Sequence, residues 1–413
     1  MQKYIRIGLF SLIGMGIVLR FFSVGWNILP HGDIVPDALA ANTMYLQGNF
    51  HLSDDTTLPP GNQYHVQHPP IWAFLGAGIM HITKVDAFTA LKILSLICGL
   101  LILPMSYRVS SLILSKDESL FLTCLLAVSW LMIDFSGNGA LYSMHALLFL
   151  LWIDCAMRKK GNKAFLLGVI SGIAYLTNYQ TIVLVPASLV VLALEDHSKW
   201  KSFAVYTGTL LLLISPWLVR NYVIFGDAMF GHTINTSYIF LKSGSFSPDY
   251  IYTPEEKIKA LKMIFTRWLP FNLYFASRKL FILAPIIFIP FSYSLADHLC
   301  NKKNIRTFLP ILLILFLYLG IATAWPVVKF RYFVPLLPLV LLLGVEQVKQ
   351  LPIVAQRKNQ ILGATLGCFI IFSALTYHQI PTHTYYYDGA ITQDTFHGEG
   401  EIKFMIDNGI LER

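Results

Sequence analysis

The sequence predicts an all-α integral membrane protein: a polytopic bundle of about eleven transmembrane helices, with interfacial helices in its first outer loop. Three observations predict it. Of 413 residues, 55% are hydrophobic and 13% charged, with a mean hydropathy of +0.59, whereas a soluble domain is about a quarter charged. Apolar runs near the length of a bilayer core recur along the chain. Basic residues gather in alternate short connections, as the positive-inside rule requires. The net charge of +8 therefore points to membrane topology and not to nucleic acid.

The runs fall near 4–29, 87–113, 119–135, 139–157, 164–179, 181–195, 202–222, 279–296, 307–325, 331–348 and 360–377. The first is too long for a signal-peptide core and lacks a small-residue cleavage site, so it reads as a retained anchor. Only Thr177 to Gln180 separates the fifth run from the sixth, the least distinct pair. With the N-terminus in the cytoplasm beside Lys3 and Arg6, the inner loops carry Arg108 and Lys116; Arg158, Lys159, Lys160 and Lys163; Lys199 and Lys201; Lys302, Lys303 and Arg306; and Lys349, Arg357 and Lys358. Outer segments 31–68, 134–141 and 177–181 have no Lys or Arg. The expected organisation is one transmembrane unit over 1–377, with outer loops at 31–70 and 223–278, and a short outer tail at 378–413 that is rich in Tyr and His.

Within the first outer loop, Pro36 to Leu46 and Pro70 to Ile82 read as short interfacial helices. In the second, Thr253 could cap a helix from Pro254 to about Trp268, with Glu255 and Glu256 at its positive end. Gly168 and Gly172, and Gly76 and Gly78, are spaced for close helix packing. The five cysteines lie mostly in apolar runs without CxxC spacing and read as small buried hydrophobes.

Chemistry collects in the first loop, which holds Asp33, Asp37, Asp54, Asp55, His31, His51, His65 and His68. A carboxylate at the membrane boundary is costly unless solvated or used. Asp33 could take the proton of an acceptor hydroxyl as it attacks an activated sugar; a phosphate leaving group needs no general acid. The plainer reading is a helix cap or a solvated acid. His68-Pro69-Pro70 marks a helix entrance. His68 could orient a phosphate, or bind a metal with His65, His31 or an aspartate, though no HxxxH or HxH spacing pre-arranges ligands.

Arg220, in Pro216 to Tyr222, closes one run at the outer edge; Lys329 and Arg331 open another there. Their plainer role is snorkelling to headgroups, with Trp217, Tyr222 and Tyr332 as interfacial aromatics; their chemical role would be to hold a lipid-linked phosphate. Asp134, Tyr142, Ser143 and His145 could line the same cavity. Arg20, inside the first run, calls for a partner within the bundle.

These pieces, in this order, resemble the GT-C fold glycosyltransferases that use a polyprenyl-phosphate sugar, in particular bacterial relatives of protein O-mannosyltransferases and of the aminoarabinose transferase that modifies lipid A. That family has a first-loop pattern Asp-Glu-x-x-Tyr-x-x-x-Ala-x-x-Met-x-x-x-Gly and a Lys-Pro-Pro-Leu-like turn. Here Asp33, Ala41, Met44, Gly48, Asn49 and Phe50 stand in register, and Gln67-His68-Pro69-Pro70-Ile71 takes the place of the turn. Pro216-Trp217-x-x-Arg220-Asn221-Tyr222 and Arg331-Tyr332-x-x-Pro335-x-x-Pro338 are similar to later signatures. The departures are Ile34 for an acidic residue, Asp37 for an aromatic, His68 for a lysine, and Ser143 or His145 where a second acid is expected.

The resemblance implies an inverting glycosyltransferase of a bacterial inner membrane, multi-pass, with its site on the outer face. The implied partners are a polyprenyl-phosphate-linked sugar donor, a glycan, lipid or protein hydroxyl acceptor, and membrane lipids. Asp33 would be the base, with Asp37 in reserve; Arg220, Arg331, Lys329 and His68 would hold the phosphate; His65, Tyr142, His145 and Tyr222 would line the acceptor cavity. It implies no particular cofactor, and a divalent metal stays open. Rival readings are a flippase or transporter of a lipid-linked saccharide, a GT-C-fold scaffold without activity, and a surface-polysaccharide polymerase or ligase.

Overall fold

The computed structural model describes residues 2–27, 34–52, 64–65, 68–158, 161–194, 199–231, 254–284, 286–300, 305–324, 330–350 and 352–377. These residues are mostly helical, and their one β feature is an isolated antiparallel bridge between His51 and Tyr64. Helix lies in all eleven predicted runs. Four helices are by themselves long and apolar enough to cross a membrane: α1 (Gln2–Trp26), α4 (Ala87–Ser110), α10 (Lys199–Phe225) and α14 (Ile305–Ala324).

Between them lie shorter pieces. Helix α5 (Lys116–Val128) starts at a capping box in which the Ser115 backbone donates to Glu118 (2.9 Å), and α4 starts on Asp86, which accepts from the Thr89 backbone (2.9 Å); both satisfy N–H groups that a helix start leaves open. The run at 119–135 is broken at Ser129 into α5 and α6 (Trp130–Asp134). Next come α7 (Tyr142–Met157), α8 (Lys163–Tyr175), a 3-10 turn (Tyr179–Val183) and α9 (Leu184–Ala193).

Arg20 explains the break. Fully buried in α1, its guanidinium donates to the carbonyls of Ala127 (2.7 Å) and Leu126 (2.9 Å) at the end of α5, and to Gly16 in its own helix (2.9 Å). A helix end leaves its last carbonyls without intrahelical donors, and a cation suits that end.

Glycines set the tightest crossings. A Cβ at Gly168 in α8 would stand 2.9 Å from Thr209 Cβ and from the Tyr206 carbonyl of α10; one at Gly172 would stand 2.8 Å from Leu213. This is the close packing expected of that spacing. Of the other pair, Gly76 meets Leu91 and Ala41, whereas Gly78 faces open space.

The expected interfacial helices are α2 (Val35–Gln47) and α3 (Ile71–Thr83). They pack together at one end of the bundle, burying Asp37, Ala38, Ala40 and Ala41 on one side and Trp72, Ala73, Gly76 and Met80 on the other. Three expectations are corrected. The single run at 279–296 is two helices, α12 (Leu269–Leu283) and α13 (Phe288–Cys300). The helix expected to end near Trp268 runs from α11 (Pro254–Met263) through a π turn (Ile264–Trp268) into α12. The last helix, α16 (Pro352–Tyr377), begins eight residues earlier than its apolar run because the polar stretch before it is helical too. The remaining pieces are a 3-10 turn (Phe330–Phe333) and α15 (Leu337–Gln350). Thr253, Lys329 and the tail at 378–413 fall outside the described residues.

The two ends differ in chemistry. At one, Arg6 pairs with Asp117 (2.8 Å), Asp154 takes Arg108 (2.8 Å) and Arg158 (2.7 Å), and Lys163 donates to the Ala156 carbonyl (3.0 Å). At the other lie the C-terminal ends of α1, α8 and α10, the N-terminal ends of α4 and α7, and the α2–α3 pair.

Candidate active site

Asp37 stands at the third residue of α2, where the helix N-terminus favours a carboxylate. It is 2% exposed. The small residues beside it let α2 sit against α3, whose entrance is His68-Pro69-Pro70. That places His68 Nδ1 at 2.9 and 3.0 Å from the two Asp37 oxygens. A carboxylate only accepts, so Nδ1 carries the proton and donates, and Nε2 lies on the opposite edge of the ring. His65 Nε2 is 3.6 Å from Asp37 Oδ1, beyond hydrogen-bond range. Burial pushes the His65 pKa down to about 4, against the pull of Asp37.

The loop is tied to the bundle by its backbone. The His65 N–H donates to the Phe50 carbonyl (3.0 Å), the Ile71 N–H to Leu176 at the end of α8 (2.9 Å), and the Trp72 indole to Gly139 (3.1 Å). Gly139 has φ +84°, a conformation that suits glycine, in the turn between α6 and α7.

Arg220 reaches this loop from α10. It donates to the Asn221 side chain (2.9 Å) and, at a long 3.4 Å, to the His65 carbonyl. Its guanidinium lies 4.6 Å from the Trp217 ring, 5.5 Å from Phe225 and 5.7 Å from Tyr64. Trp217 is buried and donates to the Tyr179 hydroxyl (3.0 Å), so it is a wall of this arginine site and not an interfacial aromatic.

A second arginine lies on the 3-10 turn at Phe330–Phe333. Arg331, 8% exposed, packs 5.6 Å from the Tyr332 ring. Tyr332 lies 6.3 Å from Tyr142, and Tyr142 meets His145 edge-on at 5.7 Å. His145, within electrostatic reach of His68, closes the path back to Asp37. The structure thus gathers Asp37, His65 and His68 with Arg220 at their edge, and links them through His145 and Tyr142 to Arg331. Tyr222 is 64% exposed on the outward side of α10, away from the cluster. Asp134 is buried on the side chains of Asn27 and Asn138, at 3.3 Å each, and ties α1 to the α6–α7 turn. Asp33, Lys329 and His31 lie outside the described residues.

Tyr64 and Lys279 belong to none of the sequence motifs. Lys279, on α12, is buried with Nζ 4.3 Å from the Phe330 ring, next to Arg331. A lysine inside an apolar run is the signal that could have found it. Among the described residues, no group of three His, Cys, Asp or Glu side chains is arranged to hold a metal.

With this geometry in view, the comparisons are informative. The profile of the dolichyl-phosphate-mannose-protein mannosyltransferase family matches residues 67–219. That stretch holds His68, Tyr142 and His145 and ends one residue before Arg220. ArnT from Cupriavidus metallidurans superposes with a TM-score of 0.57 at 14% identity, over 85% of this chain and 61% of that one. The chain has the GT-C fold.

The same ArnT bound to undecaprenyl phosphate matches at TM-score 0.56 and 14% identity, over 85% and 62% of the two chains. The archaeal oligosaccharyltransferase AglB from Archaeoglobus fulgidus, in complex with an inhibitory peptide and a dolichol-phosphate, matches at 0.59 and 12% identity, over 93% and 56%. The chain therefore spans about three fifths of the length of these GT-C proteins. None of the curated protein sequences matches it. Apolar helices and GT-C architecture together mark it as a membrane protein with the fold of these glycosyltransferases.

Proposed function

We propose that the chain is an inverting glycosyltransferase that moves a sugar from a polyprenyl-phosphate donor to a hydroxyl acceptor at the outer face of a bacterial inner membrane. The observation that carries this reading is a buried carboxylate–imidazole couple, Asp37–His68, with Arg220 bonded to the same loop and Arg331 joined to it through Tyr332, Tyr142 and His145. Anion-holding groups around a hydrogen-bonded carboxylate are what displacement of a lipid phosphate needs.

Asp33 is the base. Both oxygens of Asp37 face the His68 ring, so Asp37 acts as the positioning residue that fixes that imidazole, and the carboxylate before α2 takes the acceptor proton. The acceptor oxygen forms a bond to the anomeric carbon from the face opposite the phosphate. The bond from that carbon to the phosphate oxygen breaks with its electron pair on the phosphate, and configuration inverts. Arg220 and Arg331, with Lys329 and a doubly protonated His68 whose Nε2–H donates while Nδ1–H stays on Asp37, hold the departing phosphate. His65 and Tyr142 line the acceptor side.

Asp33→Asn should lower transfer by about 10²- to 10⁴-fold, the range for a lost general base, while binding of undecaprenyl phosphate is retained. Measured on purified protein, full activity in that variant would remove Asp33 from the mechanism. Comparing envelope glycans with and without the gene by mass spectrometry separates transfer from transport. A missing sugar decoration supports the enzyme, and an accumulated carrier-linked precursor of unchanged structure supports the flippase.

A further inference from the structure

His145 is the buried polar group that the proposed chemistry leaves without work. It sits in the first turn of α7 with no solvent exposure. Neither Nδ1 nor Nε2 has a hydrogen-bond partner among the described residues. Its neighbours are the Tyr142 ring on one side and, within electrostatic reach, His68 on the other. It therefore lies between the Asp37–His68 couple and the Tyr142–Tyr332–Arg331 chain. A buried polar atom left unpaired is costly, and here there are two.

The chemistry of the ring limits what completes it. A neutral imidazole offers one donor and one acceptor. A phosphate diester only accepts, so it would satisfy the N–H and leave the other nitrogen bare. A hydroxyl both donates and accepts, so it can satisfy whichever nitrogen it meets, the N–H or the bare one. Such hydroxyls belong to a sugar ring and not to a prenyl phosphate.

Resting on the function proposed above, we infer that His145 is a specificity-determining residue that binds hydroxyl groups of the sugar being transferred, and takes no part in holding the phosphate. Its contribution appears only when the carrier lipid bears a sugar.

The test uses the full-length protein in nanodiscs and compares binding of undecaprenyl phosphate with binding of undecaprenyl-phosphate mannose, galactose, N-acetylglucosamine and arabinose. His145→Phe keeps the ring volume and removes both nitrogens; His145→Gln restores one donor and one acceptor. For the best sugar-bearing lipid, His145→Phe should weaken binding about 10- to 100-fold, the range for a lost hydrogen bond in a buried site, and His145→Gln should recover part of it. Affinity for undecaprenyl phosphate should stay within about twofold of wild type in both variants.

The inference is overturned if His145→Phe binds sugar-bearing lipid as tightly as wild type, which is the result for an imidazole that holds only a structural water. It is overturned equally if both lipids lose affinity in parallel, or if no sugar-bearing lipid binds wild type better than undecaprenyl phosphate does. Where His145→Phe does not fold, His145→Gln and His145→Asn carry the same comparison. Wild type that binds none of these lipids would instead sink the glycosyltransferase reading itself, so the two failures are distinct.

Discussion

At the scale of single residues, the site is a set of paired polar groups, and each pairing has a measurable consequence. Asp37 holds His68 through both oxygens. A hydrogen bond to a charged group is worth about 1.5–3 kcal/mol, so Asp37→Ala should lower kcat about 10- to 100-fold, with Asp37→Asn milder because an amide oxygen can still accept from Nδ1. Arg220 combines two hydrogen bonds with an aromatic surround, and Lys cannot reproduce the planar fork. Arg220→Lys should therefore behave nearly like Arg220→Ala and weaken undecaprenyl phosphate binding by tenfold or more; an unchanged affinity would remove it from the phosphate site. His65 gives a pH signature. Its folded pKa is depressed from 6.5 to about 4, so the unfolded chain binds more protons between those values. The stability this group contributes is complete above about pH 6.5 and is lost as pH falls toward 4, a difference of about 3 kcal/mol. Thermal melts between pH 7 and 4 should show a flatter acid limb for His65→Gln than for wild type. Which acids and histidines to consider was legible in the sequence. That Asp37 would pair with His68 was not, because 31 residues separate them and only the packing of α2 on α3 joins them.

At the scale of elements, apolar runs and small residues were readable because they report one helix at a time. The spacing of Gly168 and Gly172 marked a packed face, and the structure shows that face against α10. Gly168→Val would drive side-chain atoms into Thr209 and the Tyr206 carbonyl. The expected cost is about 1–3 kcal/mol, seen as a lower melting temperature in detergent, whereas the same change at the uncrowded Gly78 should be nearly silent. What a run of hydrophobicity cannot mark is a bend within it. The break at Ser129 and the gap between α12 and α13 both lie in continuous apolar sequence. The first is held by a distant partner, Arg20, and a window read along the chain does not see that. Trp217 was read as an interfacial aromatic for the same reason, since its place inside the bundle depends on Tyr179 and Arg220 from other elements.

At the scale of the whole molecule, charge asymmetry survives folding as two chemically distinct ends, one with the Arg6–Asp117 and Arg108–Asp154–Arg158 pairs, the other with the candidate active site. With the exposed native Cys368 replaced by Ser, a cysteine at exposed Lys84 should react with a membrane-impermeant maleimide in intact cells. One at exposed Lys199 should react only after permeabilisation. The opposite pattern would put the site in the cytosol and end the outer-face reading. The bond between Arg20 and α5 bears on how the chain is made. The acceptors of that guanidinium lie 106 and 107 residues downstream. A ribosome delivering the chain to the membrane releases the first helix long before those carbonyls exist, so the arginine must wait at the insertion machinery, or borrow water and headgroups, until α5 arrives. Replacing it by Met should speed release of the first helix during biosynthesis and at the same time loosen the finished bundle.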